Sequence, residues 1–190
     1  MKKSWIILLV IVGVLAVFAL TLISGYNNLV TLNENINGKW SQVNNQLQRR
    51  ADLIPNLVAT VQGYASHEEG IFKSVAEARS KLIGAQTVAD KAVADQELRS
   101  ALSRLLVVVE NYPNLKADAN FRQLQDELAG SENRLAVARK DYNDAVQAYN
   151  AKIKRFPTVL YARMFGFEPR EYFQPDEGAK SVPKVDFNKK

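Results

Sequence analysis

The chain has no cysteine and only one histidine, His67. The first absence excludes disulfides, thiolate metal ligands, a cysteine nucleophile and an acylated lipoprotein cysteine, and leaves the compartment open. The second leaves "SHEEG" without the partner histidine of a zinc-protease helix, so His67 reads as a solvated residue in a helix's first turn. No glycine-rich loop is present to cradle a phosphate, and no motif places a histidine base beside a serine or aspartate. Glu68 and Glu69 sit where a helix N-terminus favours acids and need no catalytic role. These absences point to a non-enzyme with no cofactor and no metal. Long basic blocks are also missing. The net charge is +5, yet 25 Lys and Arg are dispersed among 20 Asp and Glu, with pairs such as Lys2-Lys3 and Arg49-Arg50. That is a mixed-charge surface, and no nucleic-acid partner is expected.

What the chain does have begins at its N-terminus. Trp5 to Ile23, "WIILLVIVGVLAVFALTLI", carries no charge and a single hydroxyl, at Thr21. At about 1.5 Å of rise per residue it nearly crosses a hydrocarbon core of roughly 30 Å. A cleaved signal has a shorter apolar region and a small-residue cleavage site, which "TLISGYNNL" does not offer. The run reads as an uncleaved anchor. Lys2 and Lys3 precede it and the first basic residue afterwards is Lys39, so the positive-inside rule sets the N-terminus in the cytoplasm and the rest outside. The expected location is therefore a membrane, in a single pass, with membrane lipid as one partner. No small-xxx-small pair surrounds Gly13, so dimerisation within the membrane is not indicated.

Beyond the anchor, heptad spacing dominates. Ile36, Trp40, Val43, Leu47, Arg50, Ile54, Leu57, Val61 and Tyr64 form one seam, extended backwards by Leu29 and Tyr26. "SHEE" reads as a capping box between Ser66 and Glu69, followed by a second helix with Ile71, Val75, Ala78 and Leu82 on one face. "IGAQTVADKAVAD" reads as a connection, and a third helix runs from about Asp95 through Leu98, Leu102, Leu105 and Val109. The last helix starts near Asp118. Its stripe is Phe121, Leu124, Leu128, Ser131, Leu135, Ala138, Tyr142, Ala145, Tyr149 and Phe156, and it ends before Pro157. "LLVVV" keeps helical register and is read as a buried helix face, so no strand is expected. The fold class is all-α: an N-terminal transmembrane helix followed by an antiparallel bundle of two long and two shorter helices with coiled-coil-like packing. The divisions are 1–25 for the anchor, 26–156 for the bundle, and 157–190 for an aromatic segment and a disordered tail beyond Gln174.

Within the first seam, "RRADLIP" joins two disturbances. Pro55 lacks an N–H and its ring collides with the carbonyl of Ala51, so a kink or break is expected there. Arg50 lies on the apolar stripe and needs a partner that fixes helix register. Arg49 and Asp52 flank it and read as exposed for a partner. If the long helices are antiparallel with Tyr26 level with Phe156, facing residue numbers add to about 182. That rule sets Trp40 opposite Tyr142 and Arg50 opposite Glu132, beside Ser131. The aromatic cluster of Phe156, Tyr161, Phe165, Phe167, Tyr172 and Phe173 has three open readings: a flap over the bundle's end, a foot in the headgroup layer, or a subunit contact.

Several long segments, "YNNLV", "LQRRADLIPNLVATVQGYASHE", "EARSK", "VVENYPNLKADANFRQLQDELAGSENRLAVARKDYNDAVQAYN" and "FPTVLYARMFGFEPREYF", strongly resemble the LemA family of bacterial membrane proteins. The resemblance runs from the anchor to about Phe173. It implies one N-terminal span and a helical-bundle body, and implies no catalytic activity. Arg49 to Glu68, "ENYPNLKA" and "FPTVLYA" are the segments it marks as candidate interaction surfaces. The expected function is a non-enzymatic membrane-anchored scaffold that self-assembles as a homo-oligomer outside the cytoplasm. The alternative is an adaptor that presents its bundle to an envelope protease or stress-response partner.

Overall fold

The computed structural model describes residues 2–174, and side chains from Trp5. The expectation of a disordered tail past Gln174 lies outside the described residues. All regular structure among the described residues is helical: α1 (Lys2–Gln62), α2 (Glu69–Gly84), α3 (Val88–Val109), α4 (Pro113–Ala117), α5 (Ala119–Lys154) and α6 (Thr158–Ala162). The all-α class is as the periodicity indicates, with α1 and α5 the long helices and one-turn α4 and α6 added. Two compact units form. Among the described residues, one contains residues 2–40 together with Asp141–Arg170, and the other contains Ser41–Lys140 with residues 171–174.

In the first unit, the apolar run is the N-terminal part of α1. Its large side chains, from Trp5 to Ile23, are exposed apart from a half-buried Leu22. The body of this unit is α1 against the C-terminal part of α5. Leu29 and Ile36 are buried from α1, and Tyr142, Val146, Tyr149 and Ile153 from α5. Trp40 and Tyr142 have ring centroids 5.3 Å apart, and Lys39 Nζ lies 2.9 Å from Asp141 Oδ2. Those facing numbers agree with the antiparallel rule. Phe156 departs from the expected stripe. Helix α5 ends at Lys154, Arg155 N–H turns back to the Lys152 carbonyl, and Phe156 is left 80% exposed while Ile153 takes the inner position.

In the second unit, α2 and α3 are an antiparallel pair. Arg104 donates to Ser74 Oγ at 3.0 Å and Lys81 reaches Glu97 at 2.7 Å. Their inner faces bury Phe72, Val75, Ala78 and Leu82 against Leu98, Leu102, Leu105 and Val109. Phe72 replaces the expected Ile71. Two boundaries also differ. Glu68 caps α2 without a side-chain bond, so the Ser66–Glu69 capping box is absent. The reason is a tight turn in which buried Ala65 offers its carbonyl to Glu68 N–H, which delays the helix to Glu69. Helix α3 starts at Val88, well before Asp95, because Thr87 accepts the Asp90 N–H and the following alanines favour helix. Asp118 starts α5 by accepting Phe121 N–H at 2.9 Å, and that bond holds its carboxyl below the usual carboxylate range. Tyr64, expected on the seam, is exposed and donates to Asp118 at 3.1 Å.

The expected break at Pro55 does not occur, since α1 continues through it to Gln62. Proline still deprives the Ala51 carbonyl of its N–H partner four residues on. A cation from the next helix fills that place: Arg79 Nε donates to Ala51 O at 2.7 Å. Ala51 is buried, so bulk solvent has little access to that carbonyl. The helix is kept whole by its neighbour.

Candidate functional site

Two constellations stand out, one in each unit. In the second unit the centre is Asp95, carried by α3 on the same inward face as Leu98, Leu102 and Leu105. Its Oδ1 accepts Arg50 Nη1 at 3.0 Å, and its Oδ2 accepts Arg99 Nε at 3.0 Å and Arg139 Nη2. Arg50 Nη1 also lies 2.6 Å from Glu132 Oε2, and Arg99 Nη2 lies 2.5 Å from Glu132 Oε1. The expected neighbour Ser131 is buried and turns its hydroxyl to the Leu128 carbonyl. Burial pushes the Asp95 carboxyl upward, and the guanidiniums of Arg50 and Arg99 act against that push. Phe173, buried, covers Arg139 with its ring 4.8 Å from the guanidinium carbon. Three guanidiniums and two carboxylates link α1, α3 and α5 here, an arrangement suited to fixing helices.

The structure thus brings Arg50 and Glu132 together. Arg49 and Asp52 are exposed, with Asp52 accepting from Gln48 at 2.8 Å. Arg49 borders an open surface with Arg122, Asp126, Glu127 and Arg134. Sequence reasoning missed Asp95, Arg99 and Arg139. The one available signal was phase, because Asp95, read as the start of the third helix, precedes Leu98, Leu102 and Leu105 at helical spacing.

The first unit holds the aromatic segment. Asn150, buried in α5, donates to the Arg170 carbonyl at 2.8 Å and accepts the Arg170 N–H at 2.9 Å. The Arg170 guanidinium continues to Asn37 of α1. This clasp returns the segment to its own body. Tyr161 is buried, Phe167 is half-buried, and Tyr26 meets Phe165 and Phe167 edge-on at 5.2 and 5.5 Å. Phe156, Phe165 and Tyr172 keep substantial exposure. Among the described residues no group of three or more histidine, aspartate or glutamate side chains could hold a metal ion.

A sequence model of the LemA family matches residues 39–187. The chain belongs to the LemA family. It is 32% identical to the magnetosome protein MamQ 2 of Paramagnetospirillum magneticum, over 87% of this chain and 71% of that protein. With the magnetosome protein MamQ of Magnetospirillum gryphiswaldense it shares 30% identity, covering 84% and 68% of the two chains. The protein LemA of Metamycoplasma hominis is 24% identical over 93% of this chain and 80% of its own. With its exposed apolar N-terminal helix, this LemA-family chain is a membrane-associated helical protein.

Proposed function

We propose that this LemA-family protein is a non-enzymatic, membrane-anchored helical scaffold that self-assembles on the extracytoplasmic face of the cell membrane. The observation that carries the reading is α1 itself. The helix that contains the apolar run goes on, with no intervening loop, to bury Leu29 and Ile36 in the body of the first unit. Such a helix is a mount for a body rather than a tether. Exposed Val93, Leu106 and Val107 on α3 supply apolar surface for contacts between copies. The full chain extracted in mild detergent is expected to run as a discrete particle of several copies. A monodisperse single copy would overturn the scaffold and favour an adaptor, for which the open charged surface beside Arg49 is the natural docking face.

Orientation follows from Lys2 and Lys3 ahead of the run and no basic residue before Lys39. A reporter active only in the cytoplasm, fused after Lys190, is expected to stay silent. Full activity would reverse the placement of the body.

A further inference from the structure

The first unit exposes four large apolar side chains around α6: Phe156 at 80%, Leu160 at 63%, Met164 at 82% and Phe165 at 52%. They do not stand alone. Leu160, Met164 and Phe165 line one wall of a groove of about 780 Å³, and the other wall is Phe18, Thr21 and Leu22 of α1. Those α1 residues belong to the exposed apolar run. Phe18 lies about 10 Å before Gly25 along the helix, at 1.5 Å per residue. The α6 surface is therefore continuous with the exposed apolar run, which is long enough to enter a bilayer.

Its position is set by a close approach. A Cβ at Gly25 would overlap the Tyr161 hydroxyl, so only a bare Cα lets this ring lie against α1. Tyr26, one residue on, holds Phe165 and Phe167 by their edges. The groove's wet rim has a different chemistry. Ser24, Asn28 and Lys152 border it, and Arg155 and Arg163 flank α6 in solvent. None of these three cations is in an ion pair among the described residues. Apolar walls beneath a basic rim match an acyl chain beneath a negatively charged headgroup.

We propose that α6 is a second membrane contact, seated in the leaflet from which α1 emerges, and that its groove takes an acyl chain of an anionic phospholipid with Lys152, Arg155 and Arg163 at the headgroup. This goes beyond the scaffold reading and rests only on the membrane anchor. The absence of native cysteine allows a single nitroxide at Met164→Cys in the full chain, with Ser80→Cys, exposed on α2, as an aqueous control. Both are placed in vesicles of phosphatidylcholine, with and without phosphatidylglycerol. The Met164 label is expected to show an oxygen-to-nickel-chelate accessibility ratio clearly above that of the control. Phosphatidylglycerol should raise the ratio further, and Lys152→Gln with Arg155→Gln and Arg163→Gln should abolish that rise. Gly25→Leu, with helicity and membrane retention unchanged, should return the label to the control value. A Met164 label as open to nickel as the control would overturn the proposal. So would dipolar broadening that disappears on dilution with unlabelled protein, since a second copy would then fill the groove. An unchanged ratio with phosphatidylglycerol would remove the anionic lipid as occupant. The label reports lipid whether the particle is one copy or many, so its failure leaves the scaffold reading standing.

Discussion

Replacing Asp95 with asparagine is expected to cost about 3–5 kcal/mol, the usual penalty for removing one partner of a buried ion pair. The side chain of Asp95 is only 3% exposed and that of Arg50 8%, so little solvent is at hand to take over. The loss leaves Arg50 and Arg99 with Glu132 and takes from Arg139 the carboxylate that it meets in the cluster. Glu132→Gln should cost less, because its side chain is 33% exposed and water screens the pair. Denaturant unfolding of the full chain in detergent measures both. A loss below about 1 kcal/mol for Asp95→Asn would show that the cluster is wet, in the range of surface pairs. A cycle between Arg50→Met and Glu132→Leu should give coupling above about 0.5 kcal/mol.

The second large effect concerns the mended helix. Arg79→Met is expected to cost about 1–3 kcal/mol, because it leaves the buried Ala51 carbonyl without a donor. Pro55→Ala supplies a backbone N–H at the position from which that carbonyl is ordinarily served. Arg79→Met should therefore cost clearly less in the Pro55→Ala background than in the native chain. Changes that proline makes to the unfolded chain cancel in this comparison. Equal cost in both backgrounds would show that Arg79 acts through packing or charge, and that the carbonyl is satisfied in another way.

These two sites also show what could and could not be read from the sequence. Arg50 was legible because an arginine on an apolar seam stands out against a period of seven, and antiparallel helices then fix its height. Asp95 was not. Its neighbours Ala92, Val93 and Ala94 are small, the apolar stripe is thin there, and a single threonine cap at Thr87 decided where the helix began. Arg79 was invisible for a different reason. The sequence of α1 shows the carbonyl that Pro55 leaves bare, but which distant donor reaches it depends on how α2 packs. Asn150 likewise resembles any polar residue in a helix until the chain folds back and offers it both backbone groups of Arg170. Periodicity reveals faces. It does not reveal partners that meet only through a turn.

The Asp95 cluster has a consequence for how the helices assemble. Its bonds span very different lengths of chain: 4 residues to Arg99, 45 to Arg50, 44 to Arg139, and 82 between Arg50 and Glu132. Loop closure orders only the extremes: Asp95 with Arg99 is local, Arg50 with Glu132 closes the longest loop, and the separations from Asp95 to Arg50 and to Arg139 differ by one residue. Helices α1 and α3 supply two guanidiniums and one carboxylate, an excess of one positive charge. Helix α5 contributes Arg139 and Glu132, one charge of each sign. The completed set of three guanidiniums and two carboxylates carries the same excess. Within this cluster α5 therefore adds no net charge, whichever order the helices close in.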